Sequence, residues 1–498
     1  MKYLKRKYLL MATLLSLFWP GIDVISQTLI TLERSIEIAG VNSPDMKRSM
    51  LNLERYDETL KAQRASLKSK FYLNVAPITY SQTRDFDNRF SSWYTNDIIE
   101  SYGTLRIDQP ILPTDGTISL VNRFGWQKST SDYQGEVTKN QAFTNNLSLV
   151  YNQPLFTYNR TKLELQEIEL DYENAYISYS LQKLNLEKNV TQFFYNVYMA
   201  KLNLEISTSE LENTQHSYEI IKNKVDAGLA AMEELYQAEV NLATAKSSLQ
   251  NNEVSLANAK DEFIRFLGMD LYEEISIMGD ISEKPVSVNL AKAVEHGLNS
   301  RMELRQREID IETSQFQLIR TKSLTEFRGD VQLSIGIFGE NEKLSNIYEN
   351  PTSSPRVAIA FNIPIFDWGE KKARIKAQEA VIASTELNYD EQRKQIIIDI
   401  RKVYRNLLNQ QNQIEIARQN EKNAQLTYEI NLERYQNGDL TGMDLNLYQT
   451  QLSEKKIAYA QTLINYKIEL LNMKIQSLYD FETDSPIIPA ELFENIVQ

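Results

Sequence analysis

The chain has 498 residues, of which 42% are hydrophobic and 24% charged, with only 16 glycines, 12 prolines and a net charge of −13. Cysteine is absent, which excludes disulfides, thiolate nucleophiles and cysteine metal sites. The acidic balance, with no basic cluster beyond the N-terminus, argues against nucleic acid as a partner, since phosphate neutralisation needs a Lys/Arg surface.

The first segment, 1–26, reads as a secretory signal peptide. Lys2, Lys5, Arg6 and Lys7 precede an apolar stretch from Tyr8 to Trp19, and Val24-Ile25-Ser26 offers cleavage chemistry before Gln27. The apolar run is too short to span a bilayer as a helix, and no longer one follows it. An exported chain of this kind stays soluble or enters a membrane as β-strands. Without cysteine there is no residue for a thioether-linked lipid anchor.

Residues 27–275 form a first repeat. A helical segment near Leu32 leads to an alternating stretch, Tyr72–Tyr80, and a second alternating stretch follows at Asn145–Gln153. Between them lies an insert, about 84–143, carrying Gly103, Pro110, Pro113 and Gly116 and two strand-like pieces, Thr104–Ile111 and Thr117–Val121. It is expected to be extracellular or to lengthen a barrel hairpin. From Tyr158 to Ala227 there is neither glycine nor proline, a run of roughly 70 residues that would make a helix of about 100 Å. Leu186, Val190, Phe193, Val197, Ala200 and Leu204 recur at three and four spacing, the pattern of a coiled coil. Gly228 then marks the tip of a helical hairpin whose second arm runs through Leu267.

Residues 288–480 repeat this plan, and 481–498 form a C-terminal tail. Asn152, Pro154 and Phe156 fall on Asn362, Pro364 and Phe366 at a spacing of 210, and Gly228, Leu235, Leu242 and Lys246 fall on Gly438, Leu445, Leu452 and Lys456 without a gap. The alternating stretches are Asp330–Phe338 and Arg356–Ile363, joined by a short polar connection with Asn350-Pro351. A second glycine- and proline-free run extends from Glu370 to Asn437, with its tip near Gly438.

Four bilayer-length strands per chain cannot close around a lumen, and open sheet edges are forbidden in hydrocarbon. Either the strands lie outside a membrane or several protomers pool them into one barrel. The long helices would continue such a barrel as a coiled-coil tube, and a tube with one end in a membrane is a conduit. A competing reading is an exported coiled-coil structural protein or adhesin without a pore, against which the duplicated strands and the paired Pro-aromatic junctions count. An exported enzyme is the third class. His216 and His296 read as solvated helical side chains, Glu33 and Glu37 as a solvated helix face, and Tyr172, Tyr176 and Tyr179 as helix packing.

The 210-residue duplication, the junctions Gln153-Pro154-Leu155-Phe156 and Ile363-Pro364-Ile365-Phe366, and the glycine tips together resemble the TolC family of outer-membrane efflux proteins over nearly the whole mature chain. The resemblance implies a mainly α fold with a membrane β-barrel portion. Four strands from each protomer of a homotrimer would pool into a twelve-stranded barrel in outer-membrane lipid, above an α-helical periplasmic tunnel. It implies a passive exit duct of an efflux pump or type I secretion system, docked to a periplasmic adaptor and an inner-membrane pump of RND, ABC or MFS type. Neither catalytic residues nor a cofactor is implied. The family's tip pattern places a tyrosine three residues before the second glycine and an acid six residues after each; here these are Tyr435, Asp444 and Glu234, expected at the periplasmic entrance. Gly228, Leu229, Gly438 and Asp439 are the expected adaptor-docking tips, and Pro154, Phe156, Pro364 and Phe366 the strand-to-helix junctions. Leu440 and Leu447 stand where the best-known member has an arginine and a second acid, so its arginine-centred closure cannot be assembled unchanged. In a competing reading, Glu234 and Asp444 simply favour a helix start near its N-terminal dipole.

Overall fold

The computed structural model describes residues 28–88, 91–133, 136–279, 285–324 and 326–487. The expected signal peptide, 1–26, lies outside the described residues, as does 488–498 of the expected tail. In chain order the elements are β1 (Thr28–Ile30), α1 (Leu32–Asn42), α2 (Pro44–Ser66), β2 (Lys70–Asp87), β3 (Ser92–Ile111), β4 (Gly116–Tyr133), β5 (Glu136–Leu155), α3 (Arg160–Asp226) and α4 (Met232–Leu267). There follow β6 (Ile275–Ile277), α5 (Leu290–Ser300), α6 (Met302–Ser323), β7 (Arg328–Asn341), a 3-10 turn at Leu344–Asn346, β8 (Thr352–Ser353), β9 (Arg356–Asn362), α7 (Glu370–Gln436), α8 (Gly442–Ser477), β10 (Tyr479–Asp480) and β11 (Ser485–Pro486).

The duplication is visible in the element boundaries. Helices α3 and α7 each hold 67 residues, α4 and α8 each hold 36, and every boundary of the second pair falls 210 residues after the first. Proline breaks and glycine weakens helical backbone bonding, and both long runs are free of them. No helix among the described residues is long and apolar enough to cross a membrane.

The chain divides into two compact units. One comprises residues up to 48, 182–293 and 399–487. Its helical core is built from residues at heptad-like spacing: Leu186, Val190 and Val197 on α3, and Ile400, Leu407 and Ile414 on α7, are all 2% exposed or less. The aromatic core position is Phe194, packed edge-on against Phe263, whereas the expected Phe193 is half-buried beside Phe266. Parallel pairing of β1 with β6 ties the start of the first repeat to its end.

The other unit, 49–181 and 294–398, carries the sheet. Leu170 and Ile177 of α3 are buried with Met302 and Ile309 of α6, and Arg320 of α6 pairs with Glu167 of α3. The strand order is β2-β3-β4-β5-β7 with β9 and the short β8 both pairing β7, all antiparallel. The four expected strands are present as β2, β5, β7 and β9. Their number, however, is corrected: the insert around 84–143 supplies β3 and β4, each as long as its neighbours, so one chain contributes six principal strands instead of four. The reason is continuous backbone pairing, which holds β3 to β4 from Tyr94↔Tyr133 to Ile111↔Gly116 and β4 to β5 from Thr117↔Asn152 to Tyr133↔Glu136.

The register sorts side chains by face. Phe71, Ile107, Leu120, Leu149 and Ile335 stand in one row across five strands, and Val331 and Ile359 pair on the same face. The opposite face is polar: Arg123 pairs with Glu100 at 3.0 Å, and Asp108 accepts from Arg106 at 2.8 Å and from Ser119 at 2.6 Å. Strand alternation thus makes one apolar and one water-compatible surface.

Candidate functional site

Both hairpin tips belong to the first unit, and their backbones close in the same way. In the first, the Gly228 N–H donates to Val225 O at 2.9 Å and the Leu229 N–H to Lys224 O at 2.7 Å. In the second, Gly438 N–H donates to Tyr435 O at 3.1 Å and Asp439 N–H to Arg434 O at 2.9 Å. This paired pattern is a Schellman closure, which needs a left-handed residue; Gly228 and Gly438 supply it with φ of 71° and 85°. Gly228, Leu229, Gly438 and Asp439 are all exposed, and Leu229 presents an apolar side chain that is 80% exposed.

The following helices start at equivalent positions with different chemistry. Thr441 caps α8: its hydroxyl accepts from the Asp444 N–H at 3.2 Å and donates to the Asp444 carboxylate at 2.7 Å. The corresponding cap of α4 is Ala231, whose methyl group cannot accept a hydrogen bond. Asp444 is therefore engaged in its own helix start, while the exposed Glu234 sits in the first turn of α4 beside Glu233.

Tyr435 lies on the last turn of α7 and is 5% exposed. Lys224 of the first hairpin stands over its ring, 5.7 Å from the centroid. Burial pushes the phenol above its ordinary range, Ser217 draws it back, and the charge of Glu234 raises it again. Among the described residues no group meets the hydroxyl with hydrogen-bonding geometry. Beside this region the two hairpins enclose a cavity of about 270 Å³, lined among others by Tyr218, Ile221, Glu233, Glu234, Gln237 and Leu445. The tertiary structure thus sets Lys224 over Tyr435 and Glu233, Glu234 and Thr441 around one cavity, and Lys224, Glu233 and Thr441 carried no distinguishing pattern in sequence. Leu440 is half-buried and Leu447 is 55% exposed.

The strand-to-helix junctions are in the second unit and are not equivalent. Pro154 is still paired in β5, opposite Asp330, and Phe156 adopts φ of 59° next to Phe327. Pro364 lies beyond the end of β9, and the left-handed residues there are Trp368 and Gly369. Phe366 packs on Trp368 with centroids 4.7 Å apart, and both are largely exposed. Each junction therefore presents aromatic rings at the end of the sheet. Among the described residues no cluster of His, Cys, Asp and Glu could hold a metal ion.

The profile of the outer membrane efflux protein family matches residues 117–269 and 330–474. The chain belongs to this family. Its members are outer-membrane channels, not enzymes, which is the class and location that the sequence pointed to. The match opens at the start of β4 and resumes within β7, so each half includes one two-stranded hairpin, and β2 and β3 lie outside it. The chain is 21% identical over 238 residues to a probable outer membrane lipoprotein, SilC, of Salmonella typhimurium, covering 47% of this chain and 50% of that one. It is 23% identical over 211 residues to the cation efflux system protein CusC of Escherichia coli (strain K12), covering 41% of this chain and 45% of the relative. The chain thus spans about half the length of the curated relatives it matches. In fold it is similar to the CmeC outer membrane channel of Campylobacter jejuni, with a TM-score of 0.67 and 16% identity over 94% of this chain and 89% of that one.

Proposed function

We propose that the chain is one protomer of a homotrimeric exit duct in the outer membrane, passing cargo from the periplasm to the exterior without chemistry of its own. The observation that carries this is the sheet. It is apolar on one face, charged on the other, and open along both edges, so it satisfies its backbone in a bilayer only when copies close it into a barrel. The helices leave unpartnered apolar stripes that suit the same assembly, as with Met232, Tyr236 and Val240 at four-residue spacing on α4, each more than half exposed.

In this reading the hairpin tips form the periplasmic entrance. Gly228, Leu229, Gly438 and Asp439 face a periplasmic adaptor, and an inner-membrane pump of RND, ABC or MFS type supplies the energy. Glu234 and Asp444, repeated by the trimer, ring the entrance with negative charge and favour cations, with Glu233 adding to the field. Cation cargo is in keeping with the relative described as part of a cation efflux system. Tyr435 holds the resting entrance through its buried hydroxyl, and the aromatic rings at Phe156 and Phe366 mark the membrane–water boundary of the barrel.

The test is gentle extraction of the mature protein from cells, followed by sizing and membrane fractionation. A heat-sensitive trimer in the outer-membrane fraction is expected. A soluble periplasmic monomer would overturn the duct, because open sheet edges could then never line a pore.

A further inference from the structure

We infer that the barrel of this protein is built from six strands of each of three copies, eighteen in all, so that β2 and β3 widen the wall beyond the two hairpins that the family match contains. The inference rests on the duct reading above and departs from the twelve strands that the family resemblance implies.

Three observations carry it. The first is pairing: β3 is hydrogen-bonded along its length to β2 on one side and β4 on the other, with a single irregularity between Ala76 and Thr79. A flap outside the membrane would not share the full register of strands that lead directly into helices.

The second is the face pattern. On β3 and β4 the side chains Leu105, Ile118 and Leu120 are each more than a third exposed, and the register sets them in rows with Leu147, Leu333 and Leu149 of β5 and β7. On the reverse side Arg106, Arg123 and Glu100 form ion pairs, and Arg123 stacks on Tyr102 at 3.9 Å. An arginine on the lipid side near mid-membrane is strongly destabilising, so the two faces orient one way: aliphatic outward, arginines to the aqueous lumen.

The third is closure. β2 pairs only with β3, and β9 only with β7, among the described residues. Because the number of principal strands is even and every neighbour is antiparallel, β2 and β9 run in opposite directions. The β9 edge of one copy therefore accepts the β2 edge of the next as an ordinary antiparallel neighbour. Phe71, Leu73 and Val75 on β2 and Val357, Ile359 and Phe361 on β9 are 54–70% exposed, so the seam continues the outward apolar band. The partner at this surface is a second copy of the chain.

With strands about 4.8 Å apart and tilted by about 40°, eighteen strands give a backbone cylinder about 36 Å across, against about 24 Å for twelve. Interiors of that strand number hold an aqueous channel. The outlet of the duct is then wide and lined by paired charges, and selection falls to the hairpin tips.

The experiment uses single cysteines in the full-length, otherwise cysteine-free chain, in outer-membrane vesicles treated with a membrane-impermeant maleimide. Positions 102 to 107 on β3 are compared with 146 to 149 on β5 and 332 to 335 on β7. Alternate labelling is expected on all three strands, with Tyr102→Cys, Thr104→Cys and Arg106→Cys reacting and Gly103→Cys, Leu105→Cys and Ile107→Cys protected by lipid. Labelling of every β3 position while β5 and β7 alternate would overturn the wide barrel and leave the duct standing. Loss of alternation on all three would remove the duct reading itself. A strand count by electron cryo-microscopy of the extracted assembly gives an independent answer: eighteen supports the inference and twelve ends it.

Discussion

The guanidinium of Arg305 on α6 grips the carboxylate of Glu173 on α3 through two bonds, Nε to Oε1 at 2.7 Å and Nη2 to Oε2 at 3.0 Å. Arg305 also reaches Glu312 at 2.9 Å and Glu308 at 3.3 Å, and its pKa is raised above the ordinary arginine range, first by Glu173. The pair joins a helix of the second repeat to one of the first. Arg305→Leu should cost about 2 kcal/mol, less than the 3–5 kcal/mol of a fully buried pair because both partners keep some exposure. Arg305→Leu with Glu173→Leu should recover most of it, since no buried charge is then left alone. Denaturant unfolding of the extracted protein reads both; equal losses in the single and double variants would contradict the argument.

The two tips differ in their caps, and that difference is measurable. Ala231→Ser should stabilise the start of α4 by about 1 kcal/mol, and Thr441→Ala should weaken α8 by a similar amount. Amide hydrogen exchange at residues 232–236 and 442–446 would show opposite changes in protection. No change at either start would mean that packing, not capping, holds these ends.

Tyr435→Phe removes a buried hydroxyl that makes no hydrogen bond among the described residues. Stability should therefore change by less than about 1 kcal/mol, because an unsatisfied polar group is lost along with any benefit. Current through the resting channel in planar bilayers should rise if the hydroxyl closes the entrance between protomers. Unchanged current would remove Tyr435 from the gate.

Glu234→Gln should lower the preference for cations over anions, measured as a reversal potential across a salt gradient. The loss should be greatest in dilute salt and shrink towards 1 M, where the screening length falls to about 3 Å. Asp444→Asn should have a smaller effect on selectivity and a larger one on helix protection, since its carboxylate is engaged by Thr441. A selectivity that is indifferent to both substitutions would reduce these acids to helix-start solvation.

Asp484 accepts from Lys292 at 2.8 Å and from Tyr479 at 2.7 Å, and these contacts, Lys292 first, hold its carboxyl below the ordinary range. A depressed carboxylate stabilises the folded state above its unfolded pKa of about 4, and the contribution is lost as pH falls through the folded value. The segment carrying β10 and β11 should stay protected from pH 7 down to about 4 and loosen in more acidic solution. Asp484→Asn should show the looser state at neutral pH as well; protection equal to wild type at pH 7 would dismiss the contact as incidental.

Much of this molecule was legible before its structure. The helical hairpins follow from glycine and proline placement and from three–four spacing, which are local properties of the chain. Their boundaries consequently repeat at 210 residues in structure as they do in sequence. Gly228 and Gly438 were readable for the same reason, since a left-handed closure selects glycine whatever lies around it. The strand-like pieces Thr104–Ile111 and Thr117–Val121 were also visible, but only their apolar portions. Beyond them β3 and β4 continue through Asn96, Asp97, Lys128 and Thr130, where backbone pairing alone sustains the strand and side-chain alternation gives no signal.

What the sequence determined by itself was the duplicated plan, the helix lengths, the tips and the family, because each is written in neighbouring residues or in a fixed repeat. The tertiary structure decided which strands share a sheet, which of its faces is apolar, and that Lys224 lies over Tyr435 across 211 positions of chain. Those are contacts between distant segments, set by register and packing, and no local pattern specifies the partner of a strand edge or of a ring.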